Sequence, residues 1–486
     1  MKKYFVSKYI FLTITVSLSL TSCGDWLDVN DNPNTVEDID AKYLFNYAAT
    51  FWSGSRTSGD LYIPLVHSIQ IQADGDRWLF NGSYYDFLTQ MQNTWNSYYL
   101  MMGNNLQLAL GRLAEEGSQP NAEAQCKILR AIQAYEATML YGDIPFSEAW
   151  GQNGVRYPKF DTQQEVLNGI ITLLNEAIAQ INPSDENRFE EYDTYFNGDM
   201  NKWQSIAHSM KFRTLMTMVD ADPAKATEIG QMLQAPQMLQ AADNNMEFKY
   251  YNTPGNENPK YSILQAIASG KNGFFFAHNS IVMPMLAYND SRLPRYFSAC
   301  TDGKYRGLGT QEFYKTDEGT LKDLSMVSDY LFRADCPDLI YSYQEQLLLE
   351  AEAYARGLGV TRNLAEANRL YKLGVKAACD YYKADAAQTD AFIKRLPDLS
   401  NLSTEEALYE IHLQQWIDLM DRPLEAFTQW RRSGAKGQEV PALTVPPLNS
   451  HPGLMRRWEY PGGELNSNPN APKQSPNLWD AMWFDL

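Results

Sequence analysis

Tyr343-Gln344-Glu345-Gln346-Leu347-Leu348-Leu349-Glu350-Ala351-Glu352-Ala353-Tyr354-Ala355-Arg356 decides the architecture of this chain. Leu347, Leu348 and Ala351 share one side of a 3.6-residue period, and Glu352 with Arg356 makes an i,i+4 pair. Gly357 and Gly359 then interrupt the pattern. A second helical stretch follows, carrying Ala367, Leu370, Tyr371, Gly374 and Val375. Two amphipathic stretches joined by a short glycine-bearing turn predict a helical hairpin whose faces bury one another.

The same period recurs outward from this hairpin. Leu88, Met91, Trp95, Tyr99, Met102 and Leu106 form one apolar stripe, and Ile128, Ile132, Tyr135 and Met139 another, stopped by Gly142 and Pro145. Phe212, Leu215, Met216 and Val219 mark a further helix. Small and aromatic residues at the offsets of the 343–375 hairpin resemble a tetratricopeptide unit, although no strict 34-residue period runs along the chain. Strand signals are few and short, such as Met246 to Tyr251. The expected fold class is mostly α, a tetratricopeptide-like helical scaffold with a loop-rich remainder and few short strands. The irregular stretches lie at roughly 52–86, 250–312 and 434–478.

The N-terminus reads as an export signal. Met1-Lys2-Lys3 and Lys8 precede an apolar run from Tyr9 to Leu20, too short to span a bilayer. Leu20-Thr21-Ser22-Cys23 then has the form of a bacterial lipoprotein box, in which the Cys23 thiol is lipidated. The expected domains are residues 1–22 as signal peptide and 23–486 as the mature body. Each buried methylene of an acyl chain contributes ~0.8 kcal/mol, so more than one chain makes a durable anchor. Loss of Lys2, Lys3 and Lys8 leaves a body three charges more negative than the −18 of the whole chain. Such an anionic body is repelled by nucleic acid and anionic lipid, whereas uncharged ligands such as sugars remain open. Cys126, Cys300, Cys336 and Cys379 form no C-x-x-C, which argues against zinc, and their disulfide state is open. Asp28, Asn30 and Asn32 resemble a calcium loop in spacing, but Pro33 holds the turn position and Ile39 the twelfth. That site is rejected.

Several ordered stretches resemble the SusD/RagB family of nutrient-binding lipoproteins, in its SusD-like branch. Tyr141-Gly142-Asp143-Ile144-Pro145-Phe146-Ser147-Glu148-Ala149 is similar to its Y-G-D-I-P-Y-S-E-A signature. Trp203 with Lys211-Phe212-Arg213 resembles the following helix, and Asn289-Asp290-Ser291-Arg292-Leu293 its D-P-R-L turn, with serine where proline is usual. Leu349-Glu350-Ala351-Glu352-Ala353 resembles its central helix. Gln415-Trp416-Ile417 leading to Trp430-Arg431-Arg432-Ser433-Gly434 resembles its W-R-R-T-G segment, and Arg457, Tyr460-Pro461 and Glu464 its C-terminal motif. The resemblance implies a SusD-like, mostly helical fold of four tetratricopeptide units with a loop-rich ligand-binding portion, and a partner, a TonB-dependent SusC-like outer-membrane barrel over which the lipoprotein closes. It assigns no ligand contact to these signature residues, and Arg431 and Arg432 are expected to pair with acids.

Sugar recognition needs aromatic faces beside planar polar groups. The densest such mixture is Asp74-Gly75-Asp76-Arg77-Trp78-Leu79-Phe80-Asn81-Gly82-Ser83-Tyr84-Tyr85, which nominates Asp74, Arg77, Trp78, Asn81, Tyr84 and Tyr85. Tyr250-Tyr251-Asn252 and Phe274-Phe275-Phe276 are lesser candidates, read mainly as packing. His67, His208, His278, His412 and His451 are scattered, with no H-E-x-x-H, no G-x-S-x-G and no glycine-rich phosphate loop. No catalytic residue, cofactor or metal ligand is assigned, and bound calcium stays open. The expected function is a surface-exposed outer-membrane lipoprotein that binds a nutrient, foremost an oligosaccharide, and delivers it to its transporter. A peptide or glycopeptide cargo is the alternative, and an all-helical glycoside hydrolase, with two carboxylates at set separation, a more distant one.

Overall fold

A computed structural model describes residues 39–73, 88–117, 119–268, 275–309, 324–445 and 453–486. Among them the chain runs through α1 (Ala41–Arg56), α2 (Tyr62–Ser68), β1 (Gln72–Ala73), α3 (Leu88–Asn96), a π-helical turn (Ser97–Gly103) and α4 (Asn104–Glu116). It continues through α5 (Pro120–Tyr141), α6 (Gln163–Gln180), α7 (Met200–Met218), α8 (Ala226–Gln234), β2 (Met246–Phe248) and α9 (Pro259–Ala268). Then come β3 (Phe276–Ala277), α10 (Asn279–Tyr288), α11 (Leu293–Tyr296) and β4 (Asp338–Tyr341). The last elements are α12 (Tyr343–Arg356), α13 (Leu364–Tyr381), α14 (Ala386–Arg395), α15 (Thr404–Asp418), α16 (Pro423–Arg432) and α17 (Gly462–Ser467).

The predicted hairpin is α12 and α13, and local chemistry sets its ends. Ser342 caps α12 by accepting from the Glu345 N–H at 3.3 Å, and Asn363 caps α13 by accepting from Glu366 at 3.0 Å. Gly357 closes α12 at φ 73°, a left-handed conformation that costs glycine nothing. Leu347, Leu348, Ala351, Ala367, Leu370, Tyr371 and Val375 are buried together with Phe392 and Ile411. Each large apolar member contributes ~1.5–3 kcal/mol. At Gly374 an added Cβ would lie 3.1 Å from Leu348, so glycine lets the two helices approach closely. Helix α5 packs on α6, α6 on α7, α1 on the π turn and α4, and α15 on α12 and α16. The scaffold is thus helical hairpins stacked side by side, with two short antiparallel ribbons, β1–β3 and β2–β4.

Four expectations are corrected. The stretch 52–86 is not wholly irregular: α1 runs to Arg56 and α2 follows. Trp52, Ser53 and Arg56 all face inward, and a buried polar pair on the core face breaks the apolar period a sequence displays. The stretch 250–312 holds α9, α10 and α11, and 434–478 holds α17. Pro259 and Pro294 sit in the first turn of their helices, and Pro284 lies inside α10, so proline here marks helix starts and tolerated positions as well as loops. The strand expected from Met246 to Tyr251 stops at Phe248.

The signature residues mostly hold the framework. Arg432 pairs with the fully buried Glu352, which Arg356 also reaches at 3.0 Å. Arg431 departs from expectation. It donates to the backbone carbonyls of Phe427, Arg456 and Met139 at 3.0, 2.7 and 2.8 Å, and the Met139 oxygen lies in the last turn of α5, where helix geometry leaves carbonyls free. Arg457 donates to the Tyr141 carbonyl, and Tyr460 donates to that of Asp143 at 2.7 Å, so the C-terminal motif caps the end of α5. Asp290 and Arg292 form a buried fork at 2.6 Å. Cys126, Cys300, Cys336 and Cys379 are free and buried. No helix among the described residues is long and apolar enough to cross a membrane.

Candidate functional site

Cys23 and the nominated Asp74, Arg77, Trp78, Asn81, Tyr84 and Tyr85 lie outside the described residues, as does Phe274. What the fold does place is the ground bordering them. Ala73 of β1 pairs with Phe276 of β3, and Phe276 bridges to Met326 while His278 bridges to Leu308. Ala73, Phe276 and Leu308 are buried as one cluster with Leu324 against it. Gln70 donates to the Thr444 carbonyl at 2.6 Å, and its own carbonyl accepts from Ser280 at 2.5 Å. One border of each of the stretches 74–87, 269–274, 310–323 and 446–452 therefore meets at the β1–β3 ribbon. Local apolar packing and two-residue pairing achieve this, which no sequence spacing displays.

The two lesser candidates separate. Phe275 and Phe276 are buried, and Phe275 stacks on His67 with centroids 5.9 Å apart. Burial lowers the pKa of His67 to about 3, so it stays neutral there. Tyr250 turns inward to Ser53 at 2.9 Å, whereas Tyr251 is exposed.

An aromatic path leads from the ribbon to a cleft. Phe275 lies 4.8 Å from Phe332 and 6.1 Å from Tyr62. Tyr62 forms the inner wall of a cavity of about 220 Å³. Its hydroxyl donates to Asp421 at 2.7 Å, and the Lys260 ammonium reaches the other oxygen of that carboxylate at 2.6 Å. Burial works against the Lys260 charge, but Asp421 outweighs it and raises the ammonium above its ordinary value. The back wall is Arg56 with Asp338, and the sides are Tyr330, Tyr381, Glu247 and Arg333. The Tyr381 phenol bonds Glu247, whose pKa burial raises. Helix α1 supplies Arg56, β2 Glu247, α9 Lys260, the end of α13 Tyr381, and the turn after α15 Asp421.

Tyrosine faces beside paired charges offer both donors and acceptors in one small space, which suits a neutral hydroxylated ring. These residues went unread because they come from five separated parts of the chain. The faint signals were Tyr330-Leu331-Phe332-Arg333 and Tyr381-Tyr382-Lys383, aromatic and basic residues at the edges of helical patterns. Among the described residues no group of three or more His, Cys, Asp or Glu side chains is placed to hold a metal ion.

A stacked-hairpin scaffold with a polar, tyrosine-walled cleft defines a helical-repeat protein of the ligand-binding type. Comparison with known proteins makes that specific. The profile of a SusD-like family, described as starch-binding and associating with the outer membrane, matches residues 33–461, and the chain belongs to that family. A chitin-binding protein superposes with a TM-score of 0.77 at 22% identity, covering 92% of this chain and 100% of its own. A Bacteroidetes AC2a SusD-like protein gives 0.76 at 19%, with 92% and 100% covered. A SusD homolog from Bacteroides uniformis gives 0.72 at 21%, with 93% and 100% covered. At these identities the likeness establishes the fold. No match is found among curated proteins.

Proposed function

We propose that this chain is a surface-exposed outer-membrane lipoprotein, anchored through Cys23, that captures an oligosaccharide and hands it to a TonB-dependent, SusC-like barrel without bond chemistry. The observation that carries the reading is the family match over residues 33–461, to proteins described as starch-binding at the outer membrane. The lipoprotein box and the tyrosine-walled cleft support it. The chitin-binding neighbour shows that this fold serves a glycan elsewhere.

Hydrolysis would need two accessible carboxylates, one of them held protonated. Two buried carboxylates of raised pKa, Glu136 and Asp418, do not fit that role. Burial raises Glu136 to about 7, yet it is sealed between Arg56 and the Trp52 indole, which donates at 2.7 Å. Asp418, raised by burial to about 6, is 1% exposed.

The test is a glycan array on the full chain in detergent, with peptide controls and analysis of any product released. Retention of oligosaccharide without cleavage is the expected result. Retention of peptides alone, or release of shortened glycan, overturns the reading. Within it, Trp78→Ala weakens glycan binding severalfold, and unchanged affinity in titration calorimetry removes Trp78 from the site.

A further inference from the structure

The charges at the mouth of the cleft do not match those inside it. Inside, each carboxylate has a protein partner: Asp421 has Lys260, Asp338 has Arg56, and Glu247 has the Tyr381 phenol. At the mouth the balance tips to cations. Tyr330 carries the Arg295 guanidinium 4.9 Å from its ring centroid and the Arg333 guanidinium at 4.5 Å. Lys383 lines the same cavity, and its carbonyl accepts from Arg295 Nε at 2.8 Å, so this lysine adjoins the two guanidiniums that cover Tyr330.

Their partners are few. Arg333 meets Asp335 at 3.0 Å, with the two side chains 32% and 56% exposed, a contact that water largely screens. Neither Arg295 nor the Lys383 ammonium has a carboxylate partner among the described residues. Three cations gathered beside the exposed Asp335 and the partly buried Glu247, which feels the Arg333 charge, stand out on a chain of net charge −18. Like charges held within a few ångströms repel one another, and an anion between them removes that cost. Arg333 turns Nη1 to the Tyr330 carbonyl and Nε to Asp335, and Arg295 turns Nε to the Lys383 carbonyl, so the other guanidinium nitrogens at the edges of the two stacked groups are the donors left for an anion.

We propose that the glycan this cleft accepts is acidic, its carboxylate or sulfate ester held at the mouth by Arg333, Lys383 and Arg295 while a hydroxylated ring enters between Tyr330 and Tyr381. The inference rests on the oligosaccharide-binding reading given above. The interior of the cleft excludes the anion itself, because Asp421, Asp338 and Glu247 line it. The charge therefore belongs on a substituent at the rim. The overall negative charge of the chain then acts as a filter, disfavouring polyanions that lack a ring to seat.

The experiment uses the full chain in detergent on an array of matched pairs: uronate oligosaccharides with their methyl esters, and sulfated oligosaccharides with their desulfated forms. The expected result is that an acidic member of at least one pair is retained about tenfold or more better than its neutral partner. Rising sodium chloride weakens that preference, and the double variant Arg333→Gln, Lys383→Gln abolishes it. Both replaced side chains lie at the rim, and circular dichroism with thermal melting checks that the variant folds. Retention of neutral members only, or an acidic preference unchanged in the variant, overturns the proposal and leaves the oligosaccharide reading standing. Retention of no glycan at all overturns both.

Discussion

Arg56 lies at the back of the cleft, 5% exposed, and one guanidinium there serves three carboxylates. Its Nε donates to both oxygens of Asp338 at 3.2 and 3.0 Å, one Nη donates to Glu136, and the other reaches Glu425 at 2.9 Å. Arg56→Met keeps the apolar stem and removes the charge. What remains for each acid is unequal. Glu425 keeps Arg422 at 4.0 Å, Asp338 keeps the Ser53 hydroxyl at 2.9 Å, and Glu136 keeps the Trp52 indole and the Tyr98 phenol.

Breaking a buried pair by removing one partner costs ~3–5 kcal/mol, because the other charge stays buried. An orphaned carboxylate escapes by taking a proton, at ~1.4 kcal/mol for each pH unit above its unfolded value of ~4.3. At pH 8 that route costs ~5 kcal/mol and offers no relief; at pH 5 it costs ~1 kcal/mol. The variant should therefore lose ~3–5 kcal/mol at pH 8 but only ~1–2 kcal/mol at pH 5. Urea unfolding at the two pH values, followed by tryptophan fluorescence, reads the difference. An equal loss at both pH values, or a loss under ~1 kcal/mol at pH 8, would refute the view that Arg56 compensates these acids.

Other expectations follow from single contacts. Glu350 has its pKa raised by burial to about 7, with Gln346 as hydrogen-bond partner. Its folded pKa exceeds the unfolded one, so its contribution is present below ~4.3 and disappears as pH rises through about 7. Glu350→Gln should flatten the decline in melting temperature between about pH 4.5 and 7, and an unchanged profile would show that Glu350 does not titrate there. A Cβ at Gly103 would enter the space of the Trp150 indole, which Arg130 covers at 4.4 Å. Gly103→Ala should cost ~1–3 kcal/mol in denaturant unfolding, and a neutral result would mean Trp150 moves freely. Cys23→Ala should shift the protein from the membrane to the soluble fraction, and continued sedimentation with membranes would refute lipid anchoring at that residue.

The helical class was legible because it rests on local repetition. Leu347, Leu348 and Ala351 share a face whatever lies elsewhere, and Gly357 stops their helix by its own backbone freedom. The stripe from Met91 to Leu106 shows where that logic strains. Met91, Trp95, Met102 and Leu106 are buried as the period predicts, but along the π turn Tyr98 is buried more deeply than Tyr99. The pairing of Arg432 with Glu352 followed from its type, while the use of Arg431 on three carbonyls depended on which backbone segments came near it.

Sequence alone therefore determined the hairpins, the family resemblance and the lipoprotein box at Cys23, because each is written in neighbouring residues. Only the tertiary structure decided the cleft. Arg56, Glu247, Lys260, Tyr381 and Asp421 are separated by up to hundreds of positions, and no period links them. Their meeting is fixed by how the hairpins and ribbons stack. The cations around Tyr330 are the same kind of fact: Arg295, Arg333 and Lys383 are ordinary surface residues in the sequence, and the packing of α11 and α13 against the 330–333 turn makes them neighbours. Local free energies choose helices, and the long-range burial of apolar and paired polar surface chooses which side chains face one another.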